Sequence, residues 1–453
     1  MTLQLYKTPI YFTRTSHNGK YGQKRGSKKE RNGVVLTDIL QVIIIGGGPA
    51  GLATALRLQQ TANISCRIYE LRTEPTTLGG AVGIPSNGLR LMSRLGVNDA
   101  LCARGNGRSE MTVRAAQGSI LGRRDMAGPA REKPGYLRIK RTELIDVLLG
   151  AAKEAGISVS YDKRIVQIHE GENKVTATFS DGTTDTADIL LGCDGIHSSV
   201  RKLYVDPLQE PEYSGVASSF AIIPASSLSA STTALMKGMS ATITQEGMFL
   251  SMPCTAAADE IMWGFSQEVA LPSSGDMRDG WEVHAREEVK GFKSKLLDLL
   301  QDTRGEWGTA MKEIVNATPT VKFFPVYRLP LGGTWYRGRC LLVGDAAHAM
   351  QPHAGQGVSM ATEDAFLLAK LLQDEGRTPE DVFRGFDKIR RPRVTEMYNI
   401  ASRNVDLRQR SSPLGLAAKQ LAIRVYLWAS GVFGLGMGSR VGDVMYDVEE
   451  NEV

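Results

Sequence analysis

The sequence predicts an α/β protein in which a parallel sheet lined by helices is interrupted by an antiparallel sheet and followed by C-terminal helices. Three observations predict it. An apolar run, Gln41 to Ile45, leads straight into Gly46-Gly-Gly48-Pro-Ala-Gly51, which reads as a buried strand, a tight turn and a helix. A second apolar run, Ala187 to Leu191, leads to Cys193-Asp194-Gly195, and a third, Arg339 to Val343, ends in Gly344-Asp345. Between the second and third, the chain has no β-α-β pattern and is rich in Ser, Thr, Ala and scattered large apolar residues, which suits an antiparallel sheet.

Taken in order, the first turn opens a helix over Pro49 to Gln60 with Leu52, Ala55 and Leu56 on one face, and the next strand runs from Ile64 to Glu70. This is a β-α-β unit of about thirty residues, the usual size. Helices are expected at Ser86 to Leu95 and Thr142 to Ala155, and short strands at Met111 to Arg114, Val159 to Tyr161, Arg164 to His169 and Lys174 to Phe179. Asp181-Gly182 marks a turn between strands. In the middle segment Phe220, Phe249, Met252, Trp263 and Phe265 are candidate core, and a charged amphipathic helix is expected around Trp281 to Leu300. A helix over Gly357 to Leu372 follows the third turn. The expected organisation is a basic extension (1–38), a nucleotide-binding part with interleaved strands of a second domain (39–203), that second domain (204–325), the return of the first (326–400) and a C-terminal helical segment (401–453).

The chain has 453 residues and a formal charge of +5. Residues 1–40 carry eight cations (Lys7, Arg14, Lys20, Lys24, Arg25, Lys28, Lys29, Arg31) against Glu30 and Asp38, so the remainder is close to neutral. The basic character belongs to a tail, which removes the compositional case for a nucleic-acid partner. Five cysteines (Cys66, Cys102, Cys193, Cys254, Cys340) include no CxxC pair, which points to a reducing, cytoplasmic setting without zinc or a disulfide framework. Leu414 to Gly438 is apolar apart from Lys419 and Arg424, but its uninterrupted part is shorter than the roughly 20 residues a bilayer span needs. The expectation is a helix packed on the protein, with membrane-surface contact as the alternative. Arg390, Arg391, Arg393 and Arg403 would suit an anionic surface or, more plainly, a solvated helix face.

In Gly46-x-Gly48-x-x-Gly51, one glycine permits the tight turn, another lets backbone approach a pyrophosphate, and the third lets helix and strand pack. Glu70 lies 19 residues beyond Gly51, placed to accept hydrogen bonds from an adenosine ribose. Together they make a dinucleotide site of the Rossmann type, without deciding which dinucleotide. Asp188-Ile-Leu-Leu-Gly-Cys-Asp194-Gly195-Ile-His-Ser198-Ser-Val-Arg201 resembles the aspartate-glycine motif of flavoprotein hydroxylases. Gly338-Arg-Cys-Leu-Leu-Val-Gly344-Asp345-Ala-Ala-His348-Ala-Met-Gln-Pro352-His353-Ala-Gly355-Gln356-Gly357 resembles their glycine-aspartate motif, completed by Glu363-Asp364-Ala365. With Arg141 opening a helix after Leu137 to Lys140, the chain resembles the group A FAD-dependent monooxygenases over residues 40–400. It is most like the salicylate-hydroxylase-like branch, related to para-hydroxybenzoate hydroxylase.

That resemblance implies a Rossmann-type FAD-binding domain with an inserted antiparallel-sheet substrate domain. It also implies non-covalent FAD, NAD(P)H as co-substrate, dioxygen, and a phenolic or aromatic-acid-like substrate hydroxylated through a flavin hydroperoxide. Only one complete dinucleotide fingerprint is present, which fits a nicotinamide that docks transiently against FAD. The implied cofactor residues are Gly46, Gly48, Gly51, Glu70, Arg141 for the FAD ribose or phosphate, and Asp194 for FAD and NAD(P)H. Asp345 would bond a ribityl hydroxyl. Gly355, Gln356, Gly357 and Val358 begin a helix whose amides stabilise negative charge on reduced flavin. Plainer readings stand beside these: Asp345 as a helix N-cap, Asp194 as a turn residue, Arg141 as a surface cation. On the substrate side the candidates are His353 in the loop beside the flavin ring, and Tyr213, Tyr327 and Arg328 entering the pocket, with His348 structural. The alternatives are an epoxidase of an isoprenoid alkene and a non-enzymatic binding protein on the same scaffold.

Overall fold

Residues as uniformly apolar as Val42 to Ile45 have no side to give to water, and they occupy the interior of a parallel sheet covered on both faces. The computed structural model describes residues 39–451 apart from 62, 76–79, 128–134, 271–289, 302, 375 and 434–443. The basic extension, the Trp281 end of the amphipathic helix and residues 434–438 of the apolar C-terminal stretch lie outside the described residues.

The parallel sheet has six strands in the order Tyr336–Arg337, Cys340–Leu342, Ile189–Gly192, Leu40–Ile45, Ile64–Tyr69, Ser158–Ser160, with only the first pair antiparallel. Its register sets the position of the site. Ile45 pairs with both Tyr69 and Gly192, and Gly192 pairs with Leu342. The three predicted strands therefore end level, and their Gly46, Cys193-Asp194 and Gly344-Asp345 turns leave from one edge, the carboxyl edge where open α/β sheets bind ligands. The helix Pro49–Gln59 packs between Arg141–Glu154 and Gly357–Leu372.

A second sheet has seven strands in the order Lys322–Arg328, Glu212–Pro224, Glu260–Glu268, Gly247–Pro253, Met239–Ile243, Glu110–Ala115, Ile120–Asp125. It is antiparallel except where Met239–Ile243 runs parallel to Glu110–Ala115. Alternation sorts its residues. Ala221, Ile223, Phe249, Ile261, Trp263 and Phe265 form a core beneath helices 290–299 and Gly305–Ala317, where the Trp263 indole donates to Thr318 Oγ1 at 2.7 Å. The opposite face carries Phe220, Gly264, Leu250, Ala241 and Val113 in one row. At one end of this face Phe220 and Met262 crowd against Gly80 beside the strand Ala81–Pro85. At the other, the helix Pro413–Phe433 lays Leu416, Ile423 and Leu427 on Val113, Ala241, Ile243 and Met248. The C-terminal segment is thus a helix packed on the protein, and its outer side leaves Leu414, Leu421 and Trp428 exposed. Among the described residues no helix is long and apolar enough to cross a membrane.

One expectation is corrected. Arg390 and Arg393 do not lie on a solvated or membrane-facing side; both are buried, on the same face of helix Pro379–Arg403 as Phe383, Phe386, Val394 and Met397. The reason is charge. Glu363 and Asp364 sit in the buried helix Gly357–Leu372, and buried carboxylates need counter-charges. Arg390 Nη1 meets Glu363 Oε2 at 2.9 Å and its Nε meets Asp364 Oδ1 at 2.8 Å. Asp364 Oδ2 accepts the Gly344 N–H at 2.8 Å and lies 2.7 Å from His348 Nε2. Burial works to raise the Asp364 carboxyl, but the charges of His348 and Arg390 outweigh it and hold the group below the usual carboxylate value. Arg391 stacks over Trp335, and only Arg403 of the four is exposed.

Arg390→Leu leaves two buried carboxylates short of a partner and should destabilise by about 3–5 kcal/mol in urea unfolding, whereas Arg403→Leu should stay within about 0.5 kcal/mol. Because the Asp364 pKa is depressed in the folded state, its ion-pair contribution is present above the unfolded carboxylate value near 4 and is lost as pH falls. The gap between wild type and Arg390→Leu should therefore narrow in acid; a gap that widens would contradict the assignment.

Candidate cofactor and active site

The first turn is built by contact rather than by flexibility alone. Gly46 has φ +110°, and a Cβ there would overlap the Cys193 carbonyl, so the first motif nests on the second. A Cβ at Gly51 would overlap the Gly46 carbonyl oxygen, which requires glycine where the helix closes onto its strand. Gly48 differs: a Cβ there would meet nothing within 4 Å, so it borders open space. The helix that follows has proline in its first turn, no side-chain cap and no acid there. Its free amides are left for an anion. Glu70 Oε2 accepts the Gly47 N–H at 2.7 Å and Oε1 accepts the Arg72 N–H at 3.0 Å. The acid braces the turn, and each oxygen keeps a lone pair.

Asp345 is exposed, but its carboxyl is packed against the protein. Burial raises its carboxyl, with the charges of His348 and Arg141 acting against the rise. Arg141 starts its helix with its N–H on the Gly80 carbonyl at 3.0 Å. The two residues, far apart in sequence, share one electrostatic field. Beyond Asp345, Gly355 takes φ +66°, and Gln356 is buried with Oε1 accepting from Asn87 Nδ2 at 3.0 Å. That same amide donates to Glu363 Oε1 at 2.8 Å. The helix starting at Gly357, with Val358 next, again has no side-chain cap and no acid in its first turn.

Asp194 performs the turn role and retains capacity for more. Its Oδ2 accepts the Ser199 and Val200 N–H groups at 2.6 and 3.2 Å, while its Oδ1 is buried with no partner. His348 pairs with Asp364 and is set against Trp335, a placement that suits the structural role expected of it. His353 has its Nε2 shielded from solvent and unbonded; burial, helped by the charge of Arg408, pushes its imidazole down to about 2, so the ring is neutral. Tyr213, Tyr327 and Arg328 have other partners. Tyr213 donates to the Val269 carbonyl at 3.0 Å and forms an edge contact with Tyr327, and Arg328 lies over Tyr398 and 3.6 Å from Glu212. Two residues of the site carried no sequence signal: Asn87, which joins Gln356 to Glu363, and Arg408, which lies beyond every motif.

The FAD binding domain family matches residues 39–288 and 328–401. The 3-amino-4-hydroxybenzoate 2-monooxygenase of Streptomyces platensis is 30% identical over 361 residues, 79% of this chain and 86% of that one. The chain belongs to the group A FAD-dependent monooxygenases. This monooxygenase is also 28% identical to the 6-hydroxynicotinate 3-monooxygenase of Pseudomonas fluorescens over 382 residues, 82% of this chain and 93% of its relative. Its fold is that of Klebsiella pneumoniae HpxO, solved with FAD and uric acid, at a TM-score of 0.72 and 23% identity over 87% of this chain and 95% of that one.

Variants separate folding from cofactor binding. Gly51→Ala should lower both the melting temperature and the FAD-to-protein ratio, because it displaces the Gly46 carbonyl. Gly48→Ala should leave the melting temperature of the FAD-free protein unchanged and lower only FAD retention. Asp345→Asn removes a carboxylate whose charge is penalised by burial, so it should hold or raise the FAD-free melting temperature while weakening FAD binding by roughly 1.5–3 kcal/mol. A loss of FAD-free stability in Asp345→Asn would count against that reading.

Proposed function

We propose that this monooxygenase hydroxylates an aromatic small molecule bearing a phenolic or acidic group, with NAD(P)H as reductant and FAD held without a covalent bond. The observation that carries the reading is the convergence of three strand-end turns and two uncapped helix N-termini on one sheet edge. The residues suit the cofactor. Gly46, Gly48 and Gly51 offer backbone to a pyrophosphate, Glu70 and Arg141 take the adenosine side, Asp345 takes a ribityl hydroxyl, and Asp194 has a free buried oxygen for FAD or NAD(P)H. When bound, FAD supplies hydride acceptance and oxygen activation. The chain supplies the rest: Gly355, Gln356, Gly357 and Val358 present a helix start that stabilises negative charge. Phe220 and Met262 border the site with apolar surface that excludes water. His353, neutral at working pH, offers Nε2 to a phenolic proton.

The relatives favour an aromatic ring over an isoprenoid alkene, since their names specify hydroxynicotinate, aminohydroxybenzoate and salicylate. A cytoplasmic location is supported by five unpaired cysteines, and membrane-surface contact by the exposed Leu414, Leu421 and Val425. The test is NADH and NADPH oxidation across phenols, aromatic acids, indoles and polyprenyl alkenes, with product mass read in parallel. Slow oxidation alone, accelerated by a ring compound that gains one oxygen atom, is the expected result. Acceleration by alkenes only would overturn the reading.

A further inference from the structure

A cation drawn largely out of water without an anion beside it is costly, and one, half-buried with a shielded Nε, borders this site. Arg408 ends the short helical segment Asn404–Arg408, which packs between the turn Pro352–Ala354 and the strands Gly247–Pro253 and Glu260–Glu268. Its Nη1 donates to the Asn404 carbonyl at 2.5 Å, and its Nε is shielded from solvent with no hydrogen-bond partner. Burial alone acts on the guanidinium, pulling it down to about 10, and no carboxylate among the described residues opposes that pull. Arg390 and Arg393, by contrast, both face Glu363. Arg138 is also buried without a carboxylate, but its Nη2 donates to Asn106 Oδ1 and it lies in the strand Tyr136–Lys140, outside the Asn404–Arg408 turn. What sets Arg408 apart is its neighbour, a second unpartnered polar group.

His353 stands beside it in the same condition. Its Nε2 is shielded and unbonded, and it feels the charge of Arg408. Asn404 fixes the two together, with Nδ2 donating to the His353 carbonyl at 3.0 Å while its own carbonyl accepts from Arg408. Buried polar atoms without partners are few in native proteins and each calls for an explanation. A ligand that carries an anion and a second polar group satisfies both at once. Resting on the hydroxylase reading, we propose that Arg408 binds the carboxylate of an aromatic acid substrate and that His353 Nε2 meets a second polar group on the same ring. The planar guanidinium fork matches a carboxylate. The segment packs against the substrate sheet, apart from the Gly46–Gly51 turn, so a substrate anion and not the FAD pyrophosphate is the partner it fits.

The experiment uses the FAD-loaded enzyme and ligand pairs that differ only in charge: salicylate with salicylamide, and 4-hydroxybenzoate with 4-hydroxybenzamide. Dissociation constants are read by calorimetry and by the perturbation of flavin absorbance. Wild type should bind the acid at least about tenfold more tightly than the amide in one pair or more, the scale of a charge-assisted hydrogen bond. Arg408→Gln should bring that ratio to about one with FAD content and melting temperature retained, and Arg408→Lys should fall between. An acid-to-amide ratio near one in wild type, or a ratio that survives in Arg408→Gln, overturns the proposal. Should Arg408→Gln fail to fold, the wild-type ratio and Arg408→Lys decide alone, an undiminished ratio in the lysine variant counting against it. Equal binding of acid and amide defeats this proposal and leaves the hydroxylase reading intact; binding of neither, with no stimulation of NAD(P)H oxidation, defeats both.

Discussion

Two adjacent acids, Glu363 and Asp364, occupy a helix in which every residue from Ser359 to Ala369 is buried. A hydrophobic pair of similar volume would commonly be as stable or more so there, so the acids are informative for what they hold. Asp364 holds the Gly344 N–H and His348 at one end of the glycine-aspartate loop. Glu363 holds Asn87, which holds Gln356 at the other end. The loop that carries Asp345 and the 355–358 helix start is therefore pinned at both ends by one carboxylate dyad, and that dyad is tolerated because Arg390 lies across it. Without this ion cluster the strands would still pair, but the loop would have no reason to keep one geometry.

Capping shows a similar division between stability and site. Ser229 and Thr378 cap their helices with side-chain oxygens, but several helices start uncapped, among them Ser86–Arg94 and Gly305–Ala317. What distinguishes the starts at Gly48 and Gln356 is that each lacks both a cap and an acid in its first turn and follows a glycine loop; a missing cap typically costs about 1 kcal/mol. Both uncapped ends begin helices that come after strand-end or motif loops, and Glu70 braces the first of these turns through the Gly47 N–H. A positive helix end is favourable for negative charge, which is the feature the proposed flavin site draws on.

Much of this was legible in sequence because its signals are local. Glycine spacing and apolar runs gave the strand ends, and the helix Gly357–Leu372 lies where its pattern places it. The parallel pairing of Met239–Ile243 with Glu110–Ala115 was not legible, since register between segments more than a hundred residues apart leaves no local trace. The strand Ala81–Pro85 was overlooked for another reason: five residues containing Gly83 and Pro85 read more like a loop than a strand. Arg390 is the instructive error. Charge suggested solvent, yet its spacing from Phe383, Phe386, Val394 and Met397 puts it on the apolar stripe of its helix. An arginine on such a stripe, in a chain that also has two adjacent acids inside a mostly apolar helix, signals a buried ion cluster.

Arg408 had no comparable signal, and the reason lies in how its position is made. The segment belongs to none of the three motifs. Its anchors come from the C-terminal side: the Ser411 N–H on the Gln245 carbonyl at 2.8 Å, Leu407 packed with Leu416, Ile423 and Leu427 against the sheet, and Lys419 on the Asp406 carbonyl at 2.6 Å. The C-terminal helix therefore acts as a brace that presses one polar turn against the seven-stranded sheet. This separates the two tasks of the molecule along the chain. Cofactor geometry rests on strand ends and glycines that admit almost no change, because a Cβ at Gly46 or Gly51 collides with backbone. The proposed recognition of a substrate anion by Arg408 would instead rest on a segment tied down by apolar packing and a few backbone bonds. A fold so arranged can change the ring it accepts while leaving its flavin site untouched.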